Sequence, residues 1–436
     1  MFEVVKKLNE DKSLDMIYSD EDKINLEGKR CDPHFKPDFS IDTLYSHNYI
    51  CHFTVLRTKI VKELGGFRKG YEGSQDYDLF LRFVEKTNKI AHIPKILYHW
   101  RMIPGSTSME VNNKSYASLN GIKSLEDMLK RKNIKGKVEN YYTSYIITYD
   151  IEDNPLISIV IPTKDRVEIL KNCVDSILEK TTYDNYEIII VDNGSKEKVT
   201  LDYLKSLGRA NKNIKVIREE CPFNYSYLNN VGVSHASGEF LVLLNNDIEI
   251  ITNRWLEIML GYAKQEHVGA VGPKLLFANG KIQHAGVILG VGVGHIANHA
   301  FYLEDKNAPA PAGRLLVPYN YSAVTGACIM VSKEKYESVG GLEEDLAVNY
   351  NDIDFCLKLL DKSYYNVFLP QVELYHLESV SRGKITDDKK QKQYEFERDY
   401  MRKKWKDKLL IDRFYNKNYS THQCFKLDKS GVEYEE

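Results

Sequence analysis

Residues 238–250 read GEFLVLLNNDIEI, Gly238 to Ile250: an apolar run of strand length that stops on two amides and a carboxylate, Asn245, Asn246 and Asp247. A run this short, entered through Ser237-Gly238 and closed by a polar tip, predicts a central strand of a parallel sheet with both faces covered by helices. In such sheets ligands bind beyond the carboxyl ends of the strands, which puts Asp247 where a ligand would be. Taken alone, Asn-Asn-Asp is equally a turn that caps a following helix. The flanking sequence separates the two readings.

Upstream, Leu156 to Arg166 (LISIVIPTKDR) predicts a buried strand that delivers Thr163, Lys164 and Asp165 to its tip, followed by a helix over 167–179. Tyr186 to Val191 (YEIIIV) predicts a second strand, ending in Asp192-Asn193-Gly194-Ser195. Strand, helix, strand, helix and then the 238–250 strand is the pattern of a doubly wound α/β half-domain, whose tips would present Asp165, Asp192 and Asp247 to one crevice. Downstream, Val317 to Ser332 predicts a turn and a buried strand, and 333–339 a short helix stopped by Gly340-Gly341. A helix then opens at Asn351-Asp352-Ile353-Asp354, where the charge of Asp352 also complements the helix dipole. Strands over 364–369 and 372–376 lead His376 into the segment that ends at Gly383. Taken with Asp247, His376 would complete an oxygen-and-nitrogen site for a divalent cation.

The N-terminal third repeats this downstream half. It predicts a helix over 2–9, a strand over 14–18 ending in the acidic cluster Asp20-Glu21-Asp22, a β-rich run over 49–56 and a helix over 58–64. Leu64-Gly65-Gly66-Phe67, Gln75-Asp76-Tyr77-Asp78-Leu79, Pro94 and His99 then match Val339-Gly340-Gly341-Leu342, Asn351-Asp352-Ile353-Asp354-Phe355, Pro370 and His376 in order and spacing. Such matching offsets argue for two copies of one unit. Continued upstream, the register sets Phe2 opposite Leu256 and Ile17 opposite Val271, so the first copy starts just past the place of its own counterpart of Asp247. The expected division is a partial copy at 1–110, a connector at 111–153 with a helix over 114–132 and a strand over 141–149, a complete domain at 154–384, and a helical tail at 385–436. The partial copy is expected to be the remnant of a longer protein.

The chain has 436 residues, 43% hydrophobic and 28% charged, which fits two to three soluble globular domains. A formal net charge of −2 offers no electrostatic footprint for nucleic acid. Seven scattered cysteines without a CxxC pair fit a reducing compartment better than a disulfide framework or a zinc site. With no signal-peptide core and no apolar run of membrane-spanning length, the expected location is cytoplasmic. The tail over 386–408 interleaves acids and bases as a solvated helix packed on the domain, and its basic residues leave open a peripheral contact with an anionic membrane surface. Gly292 to Ala297 fits GxGxxA but lacks the following helix and acidic residue of a dinucleotide site, and His295 and His299 read as loop structure near an acceptor cleft.

Pro155 to Gly383 resembles glycosyltransferase family 2, through the strand and PTKDR of 157–165, IIIVDNGS at 188–195, Asn230-Val231-Gly232, Gly238-Glu239, the DxD-equivalent Asn245 to Asp247, and Asn351 to Lys358 as the ED-type motif. The resemblance implies an α/β GT-A fold with a doubly wound, mostly parallel sheet. It implies that Asp165 and Asp192 hold the nucleoside, that Asp247 binds the diphosphate through a divalent cation, Mn2+ or Mg2+, joined by His376, and that Asp352 is the catalytic base. Thr163, Asn230 and Asn246 are assigned with them to the nucleotide sugar, and Gly326, Asn351 and Arg382 to the sugar and acceptor side. The implied activity is inverting transfer from a UDP- or dTDP-sugar to a glycan or lipid-linked acceptor, a hexosyl or rhamnosyl transfer resembling that of tandem-domain enzymes of bacterial surface polysaccharide. The alternative is an inactive carbohydrate-binding or scaffold protein derived from the same fold.

Overall fold

The computed structural model describes residues 1–103, 115–292, 294–377 and 388–427. The chain divides into two compact units: 1–150 with 309–319 and 413–436, and 151–308 with 320–412.

In the first unit, α1 (Phe2–Glu10) precedes β1 (Met16–Ile24), β2 (Arg30–His34), α2 (Ile41–Ser46), β3 (Thr54–Leu56), α3 (Thr58–Glu63), α4 (Gln75–Val84) and β4 (Ile90–Arg101). Then come α5 (Ser115–Arg131) and a hairpin of β5 (Gly136–Tyr141) and β6 (Ser144–Tyr149), so the single strand expected over 141–149 is the second arm of a hairpin. β1 pairs in parallel with β4 along its whole length, and its other edge is shared by two antiparallel strands, β3 against Met16 to Tyr18 and β2 against Glu21 to Ile24.

The acidic cluster lies inside β1 rather than beyond it, because each carboxylate is buried with partners. Asp20 is bound by His92 Nε2 at 2.8 Å and by Asn416, Glu21 by His52, and Asp22 by Arg30 and His99. Glu21 is held well below the usual carboxylate range: burial pushes it up, but hydrogen bonds from His34 and His52 prevail.

The second unit runs β7 (Ile157–Thr163), α6 (Val167–Lys180), β8 (Tyr186–Asp192), α7 (Lys198–Ala210), β9 (Ile214–Arg218), α8 (Tyr225–Ser234), β10 (Phe240–Leu244) and β11 (Ile248–Ile250). It continues with α9 (Trp255–Ala263), β12 (Val268–Leu276), β13 (Ile282–His284), a small ladder of β14 (Val287–Leu289) and β15 (Ala297–His299), then β16 (Tyr319–Tyr321) and β17 (Cys328–Ser332). α10 (Lys333–Ser338), α11 (Asn351–Asp361), β18 (Tyr365–His376) and α12 (Asp388–Trp405) complete it. The sheet order is β11-β18-β12-β17-β10-β7-β8-β9, with β10, β7, β8 and β9 parallel and β17 antiparallel to β10. β7 and β10 are buried along their whole length, as strands covered on both faces must be. Two glycines set the spacing. A Cβ on Gly232 of α8 would lie 2.3 Å from Val160 Cγ1, so the helix seats directly on β7; one on Gly238 would lie 2.6 Å from the Leu156 carbonyl at the entry to β10.

The repeat read from the sequence is a repeat of topology. Ile17 of β1 pairs with Val55 of β3 and, in parallel, with Ala91 of β4, as Val271 of β12 pairs with Met330 of β17 and Val367 of β18. The second strand of each copy, β2 or β13, lies antiparallel to the first.

Candidate functional site

The strand order makes β10, β7 and β8 neighbours, so their carboxyl ends open on one side of the sheet, Thr163 opposite Asp192. A cavity of about 530 Å³ lies over these ends, lined by Thr163, Asp165, Arg166, Asn193, Glu197, Asn246 and Asp247 among others. Asn246 donates its amide to the Thr163 hydroxyl at 3.0 Å, tying the tip of β10 to that of β7. Asp165 and Arg166 both take left-handed backbone, φ 51° and 56°, a strained conformation of the kind that collects at functional sites. Asp165 Oδ1 accepts the backbone N–H groups of Glu197 and Lys196, which hold its carboxyl below the usual range. Asp192 has both oxygens engaged, by the Ser195 N–H at 3.0 Å and Arg218 at 2.6 Å, and lines neither of the two cavities described here. Asn230 lines neither: its amide binds Leu342, Glu344 and Tyr336 and fastens α8 to the segment after Gly341.

β11 pairs antiparallel with the end of β18, Ile248 opposite His376, which brings the imidazole beside the residue before it. His376 Nε2 is 3.2 Å from Asp247 Oδ1 and 3.3 Å from the Asn245 amide. The approach of Nε2 to Asp247 is a close contact without hydrogen-bond geometry, so Asp247 Oδ1 is a buried oxygen with no hydrogen-bond partner; Nδ1, on the other side of the His376 ring, is separately without one. Buried oxygens are rarely left so, and a carboxylate oxygen against an imidazole nitrogen is a donor set that suits a divalent cation. Two protein ligands fit a cation that completes its shell from phosphate oxygens and water.

A second cavity of about 460 Å³ adjoins the first, sharing Tyr225, Asn245 and Val348 with it. Asp352, Asn351, Gly326 and His376 line it, so one wall carries the candidate base and another the candidate cation ligand. Asp352 sits in the first turn of α11, where its Oδ2 accepts the Gly326 N–H at 2.7 Å and its Oδ1 the Ile353 N–H at 2.9 Å. The residue before this helix, Tyr350, is left-handed at φ 63°. Arg382 lies outside the described residues.

Several lining residues were not singled out from the sequence. Tyr225 donates to the Gly326 carbonyl at 2.6 Å, and Tyr350 is hydrogen-bonded at 3.0 Å to Tyr394 of α12, both in the second cavity. The tail helix therefore supplies part of the site. Its Glu397 is fully buried and accepts the N–H groups of Val348 and Asn349, both at 2.9 Å, in the loop that leads to Asp352. In the sequence Glu397 stands among Glu395, Arg398 and Asp399, and nothing there singles it out. His299 lines the second cavity, 2.9 Å from His284, while His295 contacts the Gly290 carbonyl in the loop before β15; Gly292 to Ala297 thus leads into a strand. Burial pushes the His284 imidazole well below its ordinary range.

Residues 158–340 match the family model described as Glycosyl transferase family 2. An uncharacterized protein of Sinorhizobium fredii is 42% identical over 421 residues, which is 95% of this chain and 46% of that protein. The O-antigen biosynthesis protein RfbC of Myxococcus xanthus is 36% identical over 371 residues, 85% of this chain and 29% of that protein. This chain thus spans less than half the length of either curated relative. Among solved structures, GalNAc-T7 with UDP, GalNAc and Mn2+ overlaps 55% of this chain and 46% of its own at a TM-score of 0.45 and 17% identity. The family match stops at Gly340, before Asp352 and His376. With β10, β7, β8 and β9 parallel in its α/β sheet, this chain contains a domain of glycosyl transferase family 2.

Proposed function

We propose that the second unit is an inverting, cation-dependent glycosyltransferase that moves a sugar from a UDP- or dTDP-sugar to the hydroxyl of a glycan or lipid-linked acceptor in the synthesis of a bacterial surface polysaccharide. The observation that carries this reading is the pair of adjoining cavities: Asp352 faces one, Asp165 and Asp247 face the other, and His376 stands at the junction beside Asp247. The nucleoside end of the donor is assigned to the first cavity, against Asp165 and the 193–197 loop that Asp192 pins, with Thr163 and Asn246 at the sugar-phosphate end. A divalent cation held by Asp247 and His376 would neutralise charge on the departing diphosphate as a Lewis acid. Asp352 takes the proton of the acceptor hydroxyl as it attacks the anomeric carbon, with the Gly326 and Ile353 N–H groups fixing which lone pairs remain for that proton. One base and one displacement invert the anomeric centre. Asn351 and Gly326, which line the second cavity, are assigned to the sugar and acceptor side.

The test is release of nucleoside diphosphate from a panel of nucleotide sugars in the presence of Mn2+. Asp352→Asn should lower kcat by about 10² to 10⁴ while nucleotide-sugar affinity stays within a few-fold, because the proton acceptor goes and the nucleotide contacts remain. Turnover at the parent rate in that variant would remove Asp352 from the mechanism.

A further inference from the structure

In the first unit, Cys51, His52 and Asp76 bring a thiol sulfur, an imidazole nitrogen and a carboxylate oxygen within 4.8 Å of one another. The first two come from the loop before β3, the third from the first turn of α4. We propose that these three side chains bind a divalent cation of the zinc class, with water at a fourth position.

The ligand types support it: sulfur, nitrogen and oxygen donors together suit a borderline-soft ion, and three protein ligands with one open position make a tetrahedral site. The surroundings support it independently. Glu21, itself buried, approaches His52 Nδ1 at 3.0 Å and accepts the His52 backbone N–H at 3.0 Å. A carboxylate that holds one ring nitrogen as a donor fixes the tautomer and leaves a lone pair on the other nitrogen, the arrangement that orients histidine ligands of metal ions. Asp76 is likewise held, by the Asn48 amide at 3.2 Å and the Tyr77 N–H at 2.8 Å. Tyr98 and Trp100 wall the imidazole, with ring centroids at 4.9 Å and 5.3 Å.

In the register set by Gly65-Gly66 and Gly340-Gly341, Cys51 and His52 stand where Gly326 and Ala327 do, and one extra residue before the helix of the second copy sets Asp76 of Gln75-Asp76-Tyr77-Asp78 opposite Asp352 of Asn351-Asp352-Ile353-Asp354. In the second copy the aspartate meets a bare backbone N–H; in the first it meets two side chains that can ligate. The position that serves proton transfer in one copy is built for a cation in the other.

The test is a titration of the full chain with Co2+ alone. The expected result is a thiolate-to-cobalt charge-transfer absorption that saturates stoichiometrically and is bleached by Zn2+. It should survive in an Asp247→Ala/His376→Ala double variant, whose missing ligands include no sulfur, and vanish in Cys51→Ser. Glu21→Gln should lower Co2+ affinity by about 10- to 100-fold. A measurement on the parent chain guards against a variant that fails to fold: Zn2+ should slow alkylation of Cys51 and leave Cys31 and Cys221 at their own rates. No charge-transfer absorption, an absorption that persists in folded Cys51→Ser, or a Cys51 alkylation rate indifferent to Zn2+ would each overturn the proposal.

Discussion

Asp247 and His376 offer a cation different things. The aspartate brings a full negative charge and a buried oxygen without a hydrogen bond, whereas the imidazole brings a neutral lone pair. Asp247→Ala should therefore abolish Mn2+-dependent nucleotide binding and His376→Ala should weaken it by a smaller factor, as read by calorimetric titration of UDP with and without Mn2+. Parent-like manganese titrations in both variants would place the cation elsewhere. At Gly238 the prediction concerns stability. A methyl there meets backbone atoms, the Leu156 carbonyl at 2.6 Å and the Ser158 nitrogen at 2.8 Å, which cannot step aside as a side chain can. Gly238→Ala should cost about 1–3 kcal/mol in urea unfolding, the range for overpacking a well-packed interior.

At the scale of elements, α12 is the part whose role was least legible. Its sequence is dominated by exposed acids and bases, and periodicity identified a helix packed on a domain but not which residue it turns inward. Glu397, fully buried against Val348 and Asn349, is chosen by tertiary contact alone. Glu397→Ala would leave two backbone N–H groups without their acceptor. Each such loss costs about 1–3 kcal/mol, so unfolding should move well beyond the effect of an exposed change such as Lys403→Ala. β10, in contrast, was legible because burial on both faces leaves a strand no choice but a continuous apolar run. The turn that opens it carries a pH signature. Glu187 on β8 accepts the Ser158 hydroxyl at 2.7 Å and the Ser237 N–H at 2.6 Å. Burial pushes this carboxyl up, but Lys215 together with these donors holds it below the usual range. A carboxyl with a depressed folded pKa stabilises the protein fully above its unfolded value, near 4.3, and less as pH falls through the folded one. The stability difference between parent and Glu187→Gln should stay constant from neutral pH to about 5 and shrink below about 4, followed by urea unfolding at each pH.

For the whole molecule, the repeat was the most legible feature, since matched spacings carry over into matched strand pairing: Ile17 and Val271 occupy the same node of the same ladder. The fate of individual residues within the repeat was not legible. Asp20, Glu21 and Asp22 looked like a strand tip because three carboxylates in succession are normally solvated, and only the facing histidines, Arg30 and Asn416 explain their burial. His99 corresponds in register to His376, but it pairs with Asp22 on β1 in the first unit. His99→Ala should leave transfer, measured as nucleoside diphosphate release, at the parent rate; a large loss would mean that the first copy takes part in the chemistry.

The division of the chain has a consequence for how such a protein can be cut or rearranged. Because the first unit is assembled from 1–150, 309–319 and 413–436, the backbone passes from one unit to the other at four separate points. A protease that nicks the chain between Asp150 and Ile151 would yield two fragments, neither of which carries a whole copy of the first unit, so they should remain associated after cleavage and part only on denaturation. The same threading bears on inheritance. A recombination crossover at that junction would hand on an N-terminal piece without the two later segments it folds with, 309–319 and 413–436.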